Sequence, residues 1–366
     1  MSQTPESFEI KSDGVQLVVN VASGTPVVLH WGSDLGGNLD ASQLNVAMQE
    51  GVPHADLDAF QNPGVWRENA RGFFDIAEVK TSANTIFVRS EDLSAGLEVS
   101  VLFEITSSGI LRISQTLKNS GSSPFSLNDL TSWLPLPDYA TETMDFTGRW
   151  VKERQPQRRE IQVGTWAREI REGRSGHDYT IVQLAMTKDA DYQRGEVWSM
   201  GLQWSGNTRH VIERQPTGRT TMGAGELLLP GEVQLAPGET YEAPVVVATY
   251  SAEGIDGITD RHYRWLRSRP THPSKVRPRP LTLNVWEAVY FDHNLEKLTQ
   301  LADVAQSIGV ERFVLDDGWF GARRDDHRGL GDWVVSKDVW PNGLKPLIDE
   351  VKSRGMEFGR GFEGEM

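Results

Sequence analysis

Arg312-Phe313-Val314-Leu315-Asp316-Asp317-Gly318-Trp319 is the stretch on which the fold class depends. A short apolar run, Phe313 to Leu315, ends abruptly in two acids and a glycine, which reads as a buried strand leaving its sheet through a turn. Upstream, Leu295, Leu298, Leu301, Ala302, Ala305 and Ile308 follow helical spacing. Asp292 or Asn294 is placed to cap that helix, and Gly309 to stop it. Further upstream, Leu281 to Val285 is a strand candidate. Downstream, Leu344, Leu347, Ile348 and Val351 mark a second helix closed by Gly355, and Met356 to Phe362 is a third strand candidate. Strand, helix, strand, helix, strand implies parallel pairing through right-handed crossovers. A doubly wound sheet and a (β/α)8 barrel are both compatible with that order.

The residues before this region follow another grammar. Pro270, Pro273, Pro278 and Pro280 crowd one short segment. Proline fixes φ and restricts its predecessor, so the segment is expected to be an extended linker. The expected division is therefore an N-terminal β domain over 1–268, a linker over 269–280 and a β/α domain over 281–366. Within the first, Leu97, Val99, Val101, Phe103 and Ile105 alternate strictly with polar residues. Ser107-Ser108-Gly109 signals a turn, and Leu111, Ile113 and Leu117 continue the pattern, predicting a hairpin. Further strands are expected at Val15–Val21, Val27–Trp31, Val197–Trp204, Glu226–Leu229 and Pro244–Tyr250, and a short helix at Ile258–Arg267. Many short strands punctuated by Gly and Pro predict a large sandwich.

Composition narrows the function classes. The 37 basic and 51 acidic side chains give a net charge of −14, so nucleic acid and other polyanions are disfavoured partners while neutral substrates are unaffected. There are no cysteines, which excludes disulfides, thiolate metal sites and cysteine nucleophiles. Apolar runs such as Ala243–Ala248 are too short to span a bilayer. Met1 to Ile10 is polar and acidic, without a basic and apolar leader pattern, so a cytoplasmic location is the expectation. The eight histidines show no HExxH spacing, no G-x-S-x-G elbow is present, and Leu228 stands where Gly223-Ala224-Gly225 would need a third glycine to be a dinucleotide loop. Asp325, Asp326 and His327 match no metal-ligand spacing and read, with Arg323 and Arg324, as a solvated charged loop. Neither a metal nor a cofactor is expected.

In either β/α architecture ligands bind at the carboxyl ends of the strands. Trp286-Glu287, Asp316-Asp317-Gly318-Trp319, and Glu363 with Glu365 fall there. Carboxylates accept hydrogen bonds from hydroxyls and indoles pack on the C–H face of a pyranose, so the combination suits sugars. A capped turn or a pair of solvated acids is the competing reading of Asp316-Asp317. In the β half, Trp66-Arg67 with Arg71, in a stretch that reads as loop, and Arg149-Trp150 with Glu153-Arg154 are aromatic–charged groups; each reads first as interface or fold-holding ion pairs, with a sugar subsite as the alternative.

Asn284-Val285-Trp286-Glu287-Ala288-Val289-Tyr290-Phe291-Asp292, then Phe313 to Phe320, then Gly331-Asp332-Trp333, resemble family 36 of the glycoside hydrolases. Glu172 to Asp178, Trp204 to Asn207 and Gly223 to Glu232 resemble the family's bacterial members. The resemblance covers nearly the whole chain, with several motifs in the right order. It implies an N-terminal β-supersandwich followed by the first strands and helices of a catalytic (β/α)8 TIM barrel, here incomplete. It implies a retaining α-galactosidase acting on terminal α-D-galactosyl residues of sugars such as melibiose or raffinose. Asp316 and Asp317 would bind galactose hydroxyls, chiefly O4 and O6, with Trp286 lining the pocket and Trp333 and Glu363 as further pocket candidates. It also implies a homo-tetramer in which an N-terminal loop from a neighbour helps close the site, with Trp66, Arg67 and Arg71 as candidates for that loop.

The departures carry equal weight. Family members end the third strand with a pattern like G-L-W-F-E-P-E-M, whereas this chain has Gly359-Arg360-Gly361-Phe362-Glu363-Gly364-Glu365-Met366. Loss of the indole at Gly361 should weaken sugar binding by about 1–3 kcal/mol. The family's nucleophile and acid/base aspartates are expected beyond Met366, and no residue here inherits either role. A retaining glycosidase needs two carboxylates about 5 Å apart, which the adjacent and diverging Asp316 and Asp317 do not supply. The sequence thus reads as an α-galactosidase cut off after three barrel strands. The alternatives are a non-catalytic sugar-binding or oligomerisation module derived from such an enzyme, or another sugar hydrolase of similar barrel type.

Overall fold

A computed structural model describes residues 7–22, 24–36, 64–67, 70–71, 73–179 and 182–362. The chain divides into two compact units, Met1–Arg269 and Pro270–Met366.

The strict alternation at 97–105 produces the strand Leu97–Ile105, with its five apolar side chains buried and the intervening residues only half-buried. It pairs antiparallel with Ile110–Asn119, in register from Leu97 opposite Asn119 to Ile105 opposite Leu111. Gly109, at φ 73°, permits the reversal, and the Thr106 hydroxyl accepts from the Ile110 N–H at 3.1 Å. This hairpin lies inside a ten-stranded antiparallel sheet. A six-stranded antiparallel sheet and a three-stranded one, Ser7–Ser12 with Val15–Asn20 and Val27–Ser33, complete the layers. The main core draws on all three: Val101, Phe103 and Trp198 from the largest, Leu134, Ile212 and Met222 from the second, Leu17 and Trp31 from the third. Apolar faces of separate sheets sharing one buried cluster define a sandwich. Its outermost strand in the large sheet, Lys152–Glu160, carries mostly exposed charged and polar side chains, which discourages pairing with another edge.

Three expectations are corrected in this unit. The strand expected at Glu226–Leu229 runs instead over Thr220–Glu226. Pro230 lacks an N–H and Gly231 adopts φ 80°, so Leu229 and Glu232 close a turn: the Glu232 N–H donates to the Leu229 carbonyl at 3.0 Å and the Leu229 N–H to the Glu232 carboxylate at 2.7 Å. Trp66, Arg67 and Arg71 do not lie on a loop; Gly64–Arg67 and Ala70–Arg71 pair antiparallel, with Trp66 opposite Arg71, at the edge of the six-stranded sheet. Their side chains lie outside the described part of the structure. The short helix is longer than its apolar spacing predicts and spans Gly254–Ser268. Gly254 and Gly257 lower helix propensity and mask the first turn, but Ile258 is buried against Met144, Leu184, Met186 and Val197 and holds the helix to the sheet.

The second unit is a β/α unit. The segment with four prolines is not extended throughout, because Pro273–Lys275 forms a single 3-10 turn started by proline. Thr282–Asn284, Arg312–Leu315 and Glu357–Arg360 then form a parallel sheet with Arg312–Leu315 in the middle. The helices Leu295–Ser307 and Lys345–Ser353 join the strands. Asn294, not Asp292, caps the first helix, its side chain accepting from the Lys297 N–H at 3.1 Å, and Gly309 and Gly355 follow the helices at φ 84° and 78°. Leu298, Ala302 and Ala305 from one helix and Leu347 and Val351 from the other bury against Phe313 and Leu315. Barrel closure is not a feature of these three strands.

At the amino ends of the strands, Arg312 donates from Nε and Nη2 to Glu357 at 2.9 and 2.7 Å, and Arg277 reaches the same carboxylate. The hydrogen bonds from Arg277 and Arg312 hold the Glu357 carboxyl down at about 2. A folded value below the ordinary 4.5 means that this contribution is complete above about pH 4.5 and is lost as pH falls through about 2. Glu357→Gln is therefore expected to be less stable than the unaltered chain at pH 7, with the gap closing between pH 4.5 and 2; urea denaturation at a series of pH values reads it.

Candidate active site

The parallel register sets the site. Asn284 lies opposite Val314, and Leu315 opposite Arg360, so Asn284, Asp316 and Gly361 emerge together at the carboxyl ends of the three strands. The Asn284 amide donates to Asp316 Oδ2, and the Asp317 N–H donates to Asp316 Oδ1 at 2.8 Å. Asn284 Oδ1 accepts from the Trp286 N–H at 2.8 Å, turning the chain into the one-turn helix Trp286–Val289. The Gly361 N–H donates to the Leu315 carbonyl at 2.9 Å. A Cβ on Gly361 would sit 3.2 Å from Asp316 Oδ1, so any side chain at 361 emerges against Asp316.

Asp316 is half-buried, whereas Asp317 is only 4% exposed. A buried carboxylate requires a compensating charge, and Arg323 supplies it from Nε at 3.1 Å and Nη2 at 2.9 Å. Arg324 ties down the same loop, donating to the Gly318 and Gly321 carbonyls at 3.1 and 3.0 Å and to the Ser336 hydroxyl. This corrects the reading of Arg323 and Arg324 as solvated: the loop folds back so that both guanidiniums serve the Asp316-Asp317-Gly318 turn. Asp326 and His327 are exposed, and among the described residues no group of three or more acids and histidines could hold a metal ion. Gly318 adopts φ 92° and passes close to Phe291 and His293, where a Cβ would lie 3.3 Å from each. Burial, aided by the Arg324 charge, pushes His293 down to about 4, so it is a neutral wall under the turn at neutral pH.

The aromatic residues divide. Trp286 is half-buried and meets Tyr290 and Phe291 edge-to-face at 5.2 and 5.1 Å. Trp333 is 36% exposed and meets Phe362 at 5.7 Å. Trp319 does not join them as a sugar-facing indole. It is 0% exposed, packed on Phe320 and Phe362, and donates from Nε1 to the Gly361 carbonyl at 3.1 Å. The turn after Asp317 sends the chain back over the sheet, and the largest side chain fills the space created. Arg360 stacks over Trp319 and Phe362 at 4.6 and 4.8 Å. Glu363 lies outside the described residues.

In the N-terminal unit, Trp150 is 75% exposed at the tip of the hairpin joining Ala140–Arg149 to Lys152–Glu160. There Arg149 donates to the Trp150 carbonyl at 3.2 Å and the Val151 N–H to the Glu153 carboxylate at 2.8 Å. These contacts build the turn itself. Asn284, His293 and Arg323 are site residues that periodicity does not single out. Asn284 had one readable signal: a polar residue ending the strand parallel to the one that ends in Asp316.

A sheet-rich unit is thus followed in the chain by a β/α unit whose middle strand ends in an acid pair, with Trp286 half-buried just after the strand before it. Residues 67–236 match the model of the glycosyl hydrolase family 36 N-terminal domain, and residues 240–366 match the melibiase model. The chain is 38% identical over 314 residues to an α-galactosidase of Escherichia coli, covering 85% of this chain and 44% of the relative. It is 34% identical over 294 residues to the α-galactosidase AgaA of Geobacillus stearothermophilus, covering 79% and 40%. The crystal structure of an AgaA variant from that organism in complex with 1-deoxygalactonojirimycin superposes with a TM-score of 0.84 at 28% identity, over 98% of this chain and 56% of that one. The chain belongs to family 36 of the glycosyl hydrolases, and it spans less than half the length of these two curated relatives.

Proposed function

We propose that this chain carries the galactose-recognition part of a retaining α-galactosidase, for terminal non-reducing α-D-galactosyl residues of oligosaccharides such as melibiose or raffinose. The observation that carries the reading is the Asp316-Asp317 pair at the carboxyl end of the middle parallel strand, between Asn284 and Gly361. Ionised carboxylates are pure acceptors, matched to neighbouring hydroxyls, and the half-buried Trp286 offers an apolar wall beside them. Nucleophile and acid/base are assigned to neither aspartate. They stand on adjacent residues, and each has a carboxylate oxygen held by a protein donor, which suits a fixed recognition element. The homo-tetramer, with Trp66, Arg67 and Arg71 reaching a neighbour's site, belongs to the same proposal and is tested by sedimentation velocity.

Isothermal titration calorimetry of the 366-residue chain tests recognition. D-Galactose is expected to bind with a Kd of about 1 mM, a typical weak-ligand free energy of about −4 kcal/mol, and D-glucose, which differs at O4, more weakly by about tenfold. Equal affinity for both sugars, or no heat from galactose, would contradict the assignment.

A further inference from the structure

We propose that Arg323 is the positioning residue for Asp317 and decides which of its carboxylate oxygens is presented to the sugar, an inference that rests on the galactose-recognition reading. Arg323 does not grip the carboxylate as a fork. Nε and Nη2 both donate to one oxygen, Oδ2, at 3.1 and 2.9 Å. A side-by-side fork would have engaged both oxygens. The third nitrogen, Nη1, donates to the Arg328 carbonyl at 3.0 Å, and the guanidinium stands 5.5 Å from the centre of the Phe291 ring. The side chains of Arg323 and Asp317 are 6% and 5% exposed, so neither swings freely.

The consequence is an asymmetric carboxylate. Oδ2 is taken up by two charge-assisted donors, while among the described residues no donor is bonded to Oδ1. Asp316 differs, because both of its oxygens already accept protein hydrogen bonds, from Asn284 and from the Asp317 N–H. Asp317 Oδ1 thus keeps both of its lone pairs for sugar hydroxyls, whereas each Asp316 oxygen keeps one and Asp317 Oδ2 none. Arg323 holds it by fixing rotation about the Cβ–Cγ bond and by compensating the buried charge. It does this from behind, without touching the sugar.

The test is a double-mutant cycle read with D-galactose, using Arg323→Met, Asp317→Asn and the combined variant, each checked for folding by circular dichroism. Arg323→Met is expected to weaken galactose binding on the order of tenfold in the unaltered background, and by less than about twofold when Asp317 is already asparagine. Arg323→Lys, which keeps the charge but not the two nitrogens on one oxygen, is expected to fall between. An equal loss in both backgrounds would show that Arg323 acts only by stabilising the fold, and would overturn the inference. Crystal structures of the unaltered chain and of Arg323→Met, or of Arg323→Lys if the methionine variant does not fold, give a second readout. The Asp317 carboxylate is expected to rotate; an unchanged orientation overturns the inference. If the unaltered chain binds no galactose, the galactose reading fails, and the crystallographic comparison still decides the role of Arg323.

Discussion

Asp317→Ala is expected to destabilise the C-terminal unit by about 3–5 kcal/mol, the cost of leaving a buried charge without its partner. The reason lies in burial. Arg323 is 5% exposed, and with Asp317 gone its Nε and Nη2 lose their acceptor while the charge stays inside. Removing both charges together, as Asp317→Leu with Arg323→Met, should cost less than the single alanine, because a well-packed apolar pair avoids desolvating two ions. Urea denaturation followed by tryptophan fluorescence and circular dichroism measures both variants. A loss below about 1 kcal/mol for Asp317→Ala is the range of exposed ion pairs and would show that the pair is solvated. The same variant should also weaken galactose binding, so stability and recognition fall together at one carboxylate.

The second large effect is expected at Trp319. Trp319→Ala should cost about 3–5 kcal/mol, the range for truncating a fully buried aromatic to a methyl. The indole is 0% exposed and packed edge-to-face on Phe320 at 5.0 Å and Phe362 at 5.3 Å. Its Nε1 is also the donor to the Gly361 carbonyl at 3.1 Å, tying the end of the third strand to the turn after the second. Trp319→Phe keeps most of the apolar area and loses the donor, so about 1–2 kcal/mol is expected from the smaller cavity and the unpaired carbonyl. Thermal denaturation of the two variants orders them. If Trp319→Ala proved as stable as Trp319→Phe, the indole would be a surface group, as a sugar-stacking role requires.

These two residues mark where the sequence could and could not be read. The strand Arg312–Leu315, the capped helix after Asn294 and the hairpin at 97–119 are all legible, because period and capping are local properties of the chain. The parallel pairing of Arg312–Leu315 with its neighbours follows from the strand–helix order, and so does the placement of Asp316 and Asp317 at the carboxyl end of the sheet. What sequence periodicity does not carry is the return of a loop. Arg323 and Arg324 sit in a charged run with Asp325 and Asp326, which taken alone reads as solvated. Only the fold shows that the chain turns at Gly321, at φ 38°, and brings one guanidinium under Asp317 and the other under Gly318. Trp319 fails in the same way: its position next to the acids suggests a shared face, yet one residue of turn sends it into the core. The strand lies at Thr220–Glu226 and not at Glu226–Leu229, because the apolar run Leu227–Leu229 leads into the turn at Pro230-Gly231.

The direct test of the central claim is a crystal structure of the 366-residue chain soaked with D-galactose. The account predicts the sugar at the carboxyl ends of the three parallel strands, with hydroxyl oxygens about 2.6–3.0 Å from carboxylate oxygens of Asp316 and Asp317 and a ring face towards Trp286. Galactose bound elsewhere, with Asp316 and Asp317 contacting only Asn284, Arg323 and water, would contradict it.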